Sequence, residues 1–175
     1  MIKGNREPVL LTVLMQPGSL CWHAAGIRRD GQSVPLLRSE ENSMTDYRGL
    51  EPDAQRSWLR HCIAGVLQRG CDRLFARNMK AEHFVLIADR HFPDAAEGLT
   101  EQLADHFAQW MINPPLTYLL TPPGFVDGAP IRWQLIAGEL PQTIDQTLHR
   151  GLPELVEELQ VPGSWELIAK AQQST

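Results

Sequence analysis

The sequence is short of cysteine, of long apolar runs and of positive charge, and each shortage narrows the functions open to it. Cys21, Cys62 and Cys71 are odd in number, contain no C-x-x-C pair and sit within apolar patterns, as buried reduced thiols do. A reducing, cytoplasmic compartment fits that usage. No segment approaches the roughly 20 consecutive apolar residues that a bilayer span requires, so no membrane partner is expected. Residues 1–8 include Lys3, Arg6 and Glu7, and the apolar run after them stops at Gln16-Pro17-Gly18, short of a signal-peptide core. Lys and Arg number 16 against 21 Asp and Glu, a net charge of −5. With no basic run to follow a phosphate backbone, nucleic acid is a disfavoured partner.

The common mechanistic signatures are missing too. There is no G-x-G-x-x-G, no G-x-S-x-G and no H-E-x-x-H. Gly26 to Ser33 has the glycine spacing of a phosphate loop, but Gln32 stands where Lys is needed and Pro35 follows where a helix must begin. A hairpin turn explains the same residues. Cys21 and His23 flank Trp22 and would share one face of a strand, but two ligands do not make a metal site. His61 and Cys62 are neighbours and diverge by about 100° on a helix. Neither a metal nor a cofactor is expected.

What is present reads as one α/β domain. A chain of 175 residues, 43% hydrophobic, can bury its own core, with loose ends expected at 1–8 and 172–175. Val9 to Met15, Leu20 to Arg28 and Ser33 to Leu37 read as strands, and Asp30-Gly31 supplies a tight turn between the last two. These form a three-stranded antiparallel meander. The polar stretch from Arg38 to Pro52 has no period and is long for a passive connection. Leu59, Cys62, Ile63, Val66, Leu67, Leu74 and Phe75 then recur at spacings of three and four, predicting an amphipathic helix over about 53–78.

His83 to Ala88 is continuously apolar after its first residue and too short for a helix, so it predicts a central strand buried on both faces. Asp94 and Glu97 form a capping pattern ahead of a helix over about 95–112 that carries Leu103 and Phe107. Leu116 to Leu120 and Ile131 to Ala137 read as strands that can pair as a hairpin. A helical pattern around Ile144 and Leu148 ends at Gly151, and Leu152-Pro153-Glu154 opens another short helix to about Gln160. The tail from Trp165 is expected to add a last helical turn. The whole order predicts a mixed sheet with helices on its faces. It is also the element order of ribonuclease-H-like domains, an analogy of architecture without sequence resemblance. A nuclease of that architecture needs clustered carboxylates to hold divalent metal, one of them on the first strand, and Val9 to Met15 contains none.

Three functions are open to such a chain. The leading expectation is a noncatalytic protein-interaction or assembly module, with an unknown protein or a second copy of the chain as partner. Its contact residues would be Asp46, Tyr47 and Arg48 in the long polar stretch, and Phe125 and Asp127 in the Pro-rich connection. The alternative is a small-molecule-binding domain or enzyme at Asp89, Arg90 and His91, because ligands gather beyond the carboxyl ends of parallel strands and a His beside a carboxylate can move protons. The third is nucleic-acid binding through Arg56, Arg60, Arg69, Arg73 and Arg77 on the 53–78 helix.

Overall fold

The computed structural model describes residues 5–15, 21–40, 49–88, 105, 108, 115–120 and 133–159. Its strands are β1 (Glu7–Met15), β2 (Cys21–Ile27), β3 (Ser33–Glu40), β4 (Met79–Ala88), β5 (Leu116–Leu120) and β6 (Gln134–Ala137); its long helices are α1 (Pro52–Ala76) and α2 (Gln142–Leu159). The strands form one mixed sheet in the order β3-β2-β1-β4-β5-β6. β1, β2 and β3 are the antiparallel meander, β4 lies parallel to β1, β5 parallel to β4, and β6 returns antiparallel. The protein is therefore α/β with a six-stranded mixed sheet. The likeness to ribonuclease-H-like domains stays one of element order.

Side-chain alternation assigns each sheet face to one helix. Val9, Leu11, Val13 and Met15 of β1 join Trp22, Phe84, Leu86 and Tyr118 beneath Leu59, Ile63, Val66, Leu67 and Leu74 of α1. Leu10, Leu14, Ala25, Ile27, Val85, Ile87 and Leu119 lie beneath Leu148, Leu152, Leu155 and Val156 of α2. Residues 83–88 are buried throughout, as expected of a strand with a helix on either side. β3 contains Pro35, which has no N–H for a ladder, and β3 is an edge strand.

The turns follow their residues. Gly31 takes φ 92° at the β2–β3 corner, where its N–H donates to Arg28 O at 2.9 Å and the Asp30 carboxylate accepts from Gln32 N at 3.0 Å. α1 opens on Pro52, whose missing N–H is no loss at a first helical position. It closes on Asn78 at φ 58°, the left-handed residue that ends many helices.

Four expectations need correcting. β4 begins at Met79 rather than His83, because Asn78 turns the chain straight out of α1 and residues 79–81 pair with Glu7, Pro8 and Val9. Gly151 and Pro153 do not divide the C-terminal pattern, since both lie inside α2. Gly151 is needed for proximity: a Cβ there would come within 2.6 Å of Ile27 Cγ2 and 2.9 Å of Gly31 O. Phe75 is 63% exposed rather than buried. It lies about 100° round the helix from Leu74, and the Arg6 guanidinium stacks on its ring at 3.3 Å while Nη1 donates to Phe75 O at 2.7 Å. β3 runs on to Glu40, past the expected end at Leu37.

Of the ends expected to be loose, Glu7 and Pro8 are in β1, while 1–4 and 172–175 lie outside the described residues. Asp105 and Ala108 are helical; the rest of 95–112, Leu103 and Phe107 included, lies outside them, as does the chain from Trp165. No helix among the described residues is long and apolar enough to cross a membrane.

Candidate functional site

The two sheet faces differ chemically. Among the described residues the buried polar side chains are Thr12, His23, His83 and Thr117, and strand alternation places all four on the face that α2 covers. The α1 face is apolar. Among the described residues, the polar side chains buried in the sheet are therefore on the α2 side.

A cleft of about 530 Å³ opens on that side, within the size range of small-molecule sites. Its floor is Leu10 of β1, Ile27 at the end of β2, and Glu82 and His83 of β4; Arg29 and the first three turns of α2 form its walls, with Thr143, Thr147 and Arg150 among them. β2 runs antiparallel to β1 and β4, so the cleft lies where the parallel strands begin. Close packing at Gly151 seats α2 against the β2–β3 corner.

The cleft's charged groups are disposed unequally. Arg29 Nη2 donates to Glu82 Oε2 at 3.0 Å, an ion pair at the rim. The neighbouring Arg28 is engaged elsewhere, with Glu7 at 3.3 Å and Gln32 at 3.3 Å. Arg150 has no acidic partner among the described residues. Asp145, in the first turn of α2, lies 3.3 Å from His149 Nε2. The first bond of α2 runs from Asp145 N to Pro141 O at 3.0 Å, so the N–H groups of Gln142, Thr143 and Ile144 have no intrahelical acceptor.

His83 is the central titratable group, only 6% exposed. Burial holds its pKa below the usual histidine value, against the pull of the Glu82 charge, and the ring is neutral near pH 7. Its Nε2 lies 2.6 Å from Thr117 Oγ1, and Thr117 Oγ1 in turn donates to the Glu139 carbonyl. A hydroxyl has one proton to give. Nε2 must therefore donate to Thr117, which fixes the Nε2–H tautomer and leaves Nδ1 as an acceptor, without a partner among the described residues.

A second polar group lies further along the same face. Cys21 Sγ is 3.6 Å from His23 Nε2 and accepts from Arg38 Nε at 3.2 Å. Cys21 and His23 do share a face, as their spacing requires. Among the described residues no three His, Cys, Asp or Glu side chains are placed to hold a metal ion.

The site residues expected from sequence, Asp46, Tyr47, Arg48, Asp89, Arg90, His91, Phe125 and Asp127, all lie outside the described residues. The segments carrying them leave β3, β4 and β5 at carboxyl ends that point the same way. The cleft is at the other end. Sequence reasoning passed over it, taking His83 as the head of an apolar strand; Glu82-His83 before Phe84 to Ala88 was the available signal.

The arginines of α1 do not gather into a free basic face. Arg56 pairs with Asp53, Arg69 donates to Gly65 O at 3.3 Å, Arg73 to Leu36 O at 2.7 Å, and Arg77 to Arg73 O at 3.4 Å. Arg60 Nε is buried.

No family model matches the chain, and no curated protein or solved structure matches it significantly.

Proposed function

We propose that this chain is a noncatalytic recognition module that holds a small ligand in the cleft between α2 and the amino ends of β1 and β4. The observation that carries this reading is the cleft itself, concave and floored by a buried neutral histidine whose tautomer is fixed. Binding is favoured over turnover because Glu82 is tied to Arg29, the ring proton of His83 is spent on Thr117, and the Thr147 hydroxyl donates to Thr143 O at 2.8 Å. None of these is an activated nucleophile with an adjacent base. An enzyme centred on Asp89, Arg90 and His91 has no comparable support. Nucleic-acid binding through α1 is the weakest reading, since Arg56, Arg69, Arg73 and Arg77 are engaged within the fold.

A screen of small metabolites by thermal denaturation tests the proposal, run in parallel on wild type and Thr147→Trp, whose indole would fill the cleft. Ligands should raise the wild-type midpoint and leave the variant unmoved, with the unligated midpoints alike. Equal shifts in the two proteins, or no shift in either, would overturn it.

A second reading, a protein-interaction or assembly module, is favoured by Leu50 and Leu135, which are 38% and 46% exposed. They flank the segments bearing Asp46, Tyr47 and Arg48 and bearing Phe125 and Asp127. Light-scattering mass and an affinity pull-down at mild salt test it. A lone monomer that retains no stoichiometric partner would count against it.

A further inference from the structure

Given the small-ligand reading of the cleft, on which this step rests, we infer that the ligand class is a small anion that also carries a hydroxyl group, a hydroxy acid or a sugar phosphate.

The anionic part follows from the balance of charge around the cleft. Of its lining groups, Glu82 is neutralised by Arg29, and Arg150 is left as an uncompensated cation among the described residues. Of the N–H groups without an intrahelical acceptor, those of Thr143 and Ile144 belong to cleft-lining residues at the positive end of the α2 dipole. Asp145, the acid nearest them in sequence, is directed to His149. A carboxylate or phosphate would be drawn to Arg150 and to these donors, whereas a cation would find the Glu82 carboxylate of the lining already paired with Arg29. The protein's overall charge of −5 does not alter this, because contact distances lie within the Debye length and the local groups dominate.

The hydroxyl follows from His83. Its single ring proton is used on Thr117, so what it offers a ligand is a lone pair at Nδ1. An ionised carboxylate or phosphate oxygen has only lone pairs and cannot satisfy that acceptor. A ligand matching both ends of the cleft must bring a donor, and a hydroxyl beside the anionic group supplies one. A buried acceptor left unmatched costs a ligand about tenfold or more in affinity, and this difference can be read directly.

The experiment is a set of titrations of the full chain followed by amide chemical shifts at Thr143 to Gly151, with named probes. At pH 8, acetate and methyl phosphate are anions without a donor, glycerate and glycerol phosphate are anions with a hydroxyl, and glycerol is the neutral control. Glycerate should bind about tenfold or more tightly than acetate, glycerol phosphate likewise against methyl phosphate, and glycerol weakest of all. The stronger member of the glycerate and glycerol phosphate pair identifies which anionic group the cleft prefers. Arg150→Gln should weaken both hydroxylated anions about tenfold. His83→Phe keeps a ring in that place while removing the Nδ1 acceptor, so it should abolish the preference for the hydroxylated members without abolishing anion binding; its thermal midpoint reports that the fold is kept.

Binding of glycerol as tight as that of glycerol phosphate, or an Arg150→Gln variant that binds as wild type does, would overturn the anion assignment. Equal affinities for glycerate and acetate, or a hydroxyl preference that survives His83→Phe, would overturn the role given to His83. Probes that leave the cleft amides unmoved up to tens of millimolar would overturn the ligand class. If neutral metabolites meanwhile shift the wild type but not Thr147→Trp, the cleft reading stands and this assignment alone fails.

Discussion

Two helical glycines make opposite demands on their surroundings. Gly65, within α1, has no atom within 4 Å of where a Cβ would sit, whereas Gly151 in α2 has Ile27 Cγ2 at 2.6 Å and Gly31 O at 2.9 Å. Gly65→Ala should therefore stabilise by about 0.5–1 kcal/mol, chiefly through the unfolded chain. Gly151→Ala should destabilise by roughly 1–3 kcal/mol as α2 is pushed off the β2–β3 corner. Urea midpoints of the two variants check both signs. His83 gives a pH dependence. Because its folded pKa lies below the unfolded value, the unfolded chain binds the extra proton first. Its contribution is complete above about pH 6.5 and declines as pH falls from there toward the folded pKa. Stability measured from pH 7.5 downward should fall less steeply in His83→Gln than in wild type. Burial also pushes the Cys71 thiol up to about 12, with Asp72 adding to the effect, so Cys71 in the native protein should resist alkylation at pH 8 and react once urea is added. At this scale the sequence was least legible. The exposed Phe75 and the tautomer of His83 depend on Arg6 and Thr117, partners distant in the chain that no local pattern announces.

At the scale of elements, periodicity was a good guide wherever one face of an element is apolar. α1 falls within two residues of its expected bounds because Leu59, Ile63, Val66, Leu67 and Leu74 all meet the sheet. The hairpin at Asp30-Gly31 and the pairing of β5 with β6 follow the turn and strand signals. Boundaries failed where a residue with local meaning was overruled by packing. Pro153 interrupts the hydrogen-bond ladder of α2, yet Leu148, Leu152, Leu155 and Val156 keep one face continuous against the sheet, and the helix runs through. The first part of β4 is only partly buried, with Lys80 exposed and Ala81 and Glu82 half-buried, a weaker signal than the apolar run after it. Val66 and Ile87 are fully buried on opposite faces of the sheet. Val66→Asn and Ile87→Asn should each destabilise by about 3 kcal/mol or more, because each buries an amide with no partner. Denaturation midpoints equal to wild type would remove those residues from the core.

For the molecule as a whole, the fold class was legible and the candidate site was not. Alternation in the strands and one long amphipathic helix suffice to define an α/β sheet covered on both sides. The cleft draws on four separate stretches of chain, around Leu10, Ile27 to Arg29, Glu82-His83 and Pro141 to Arg150, and nothing in any one of them refers to the others. The rule that ligands collect at carboxyl ends of parallel strands directed attention to Asp89 and His91, and the described cleft is at the amino ends. The position of β1 also bears on time. It pairs on one side with β2, the next segment of chain, and on the other with β4, where Leu10 meets His83 some seventy residues on. The meander can zip up as soon as its turns form, but the parallel half of the sheet must wait for a long loop to close, with α1 inside that loop. Folding should therefore show its main barrier at the joining of β4 to β1: substitutions in β4 will slow refolding, and those confined to the edge of β3 will chiefly hasten unfolding.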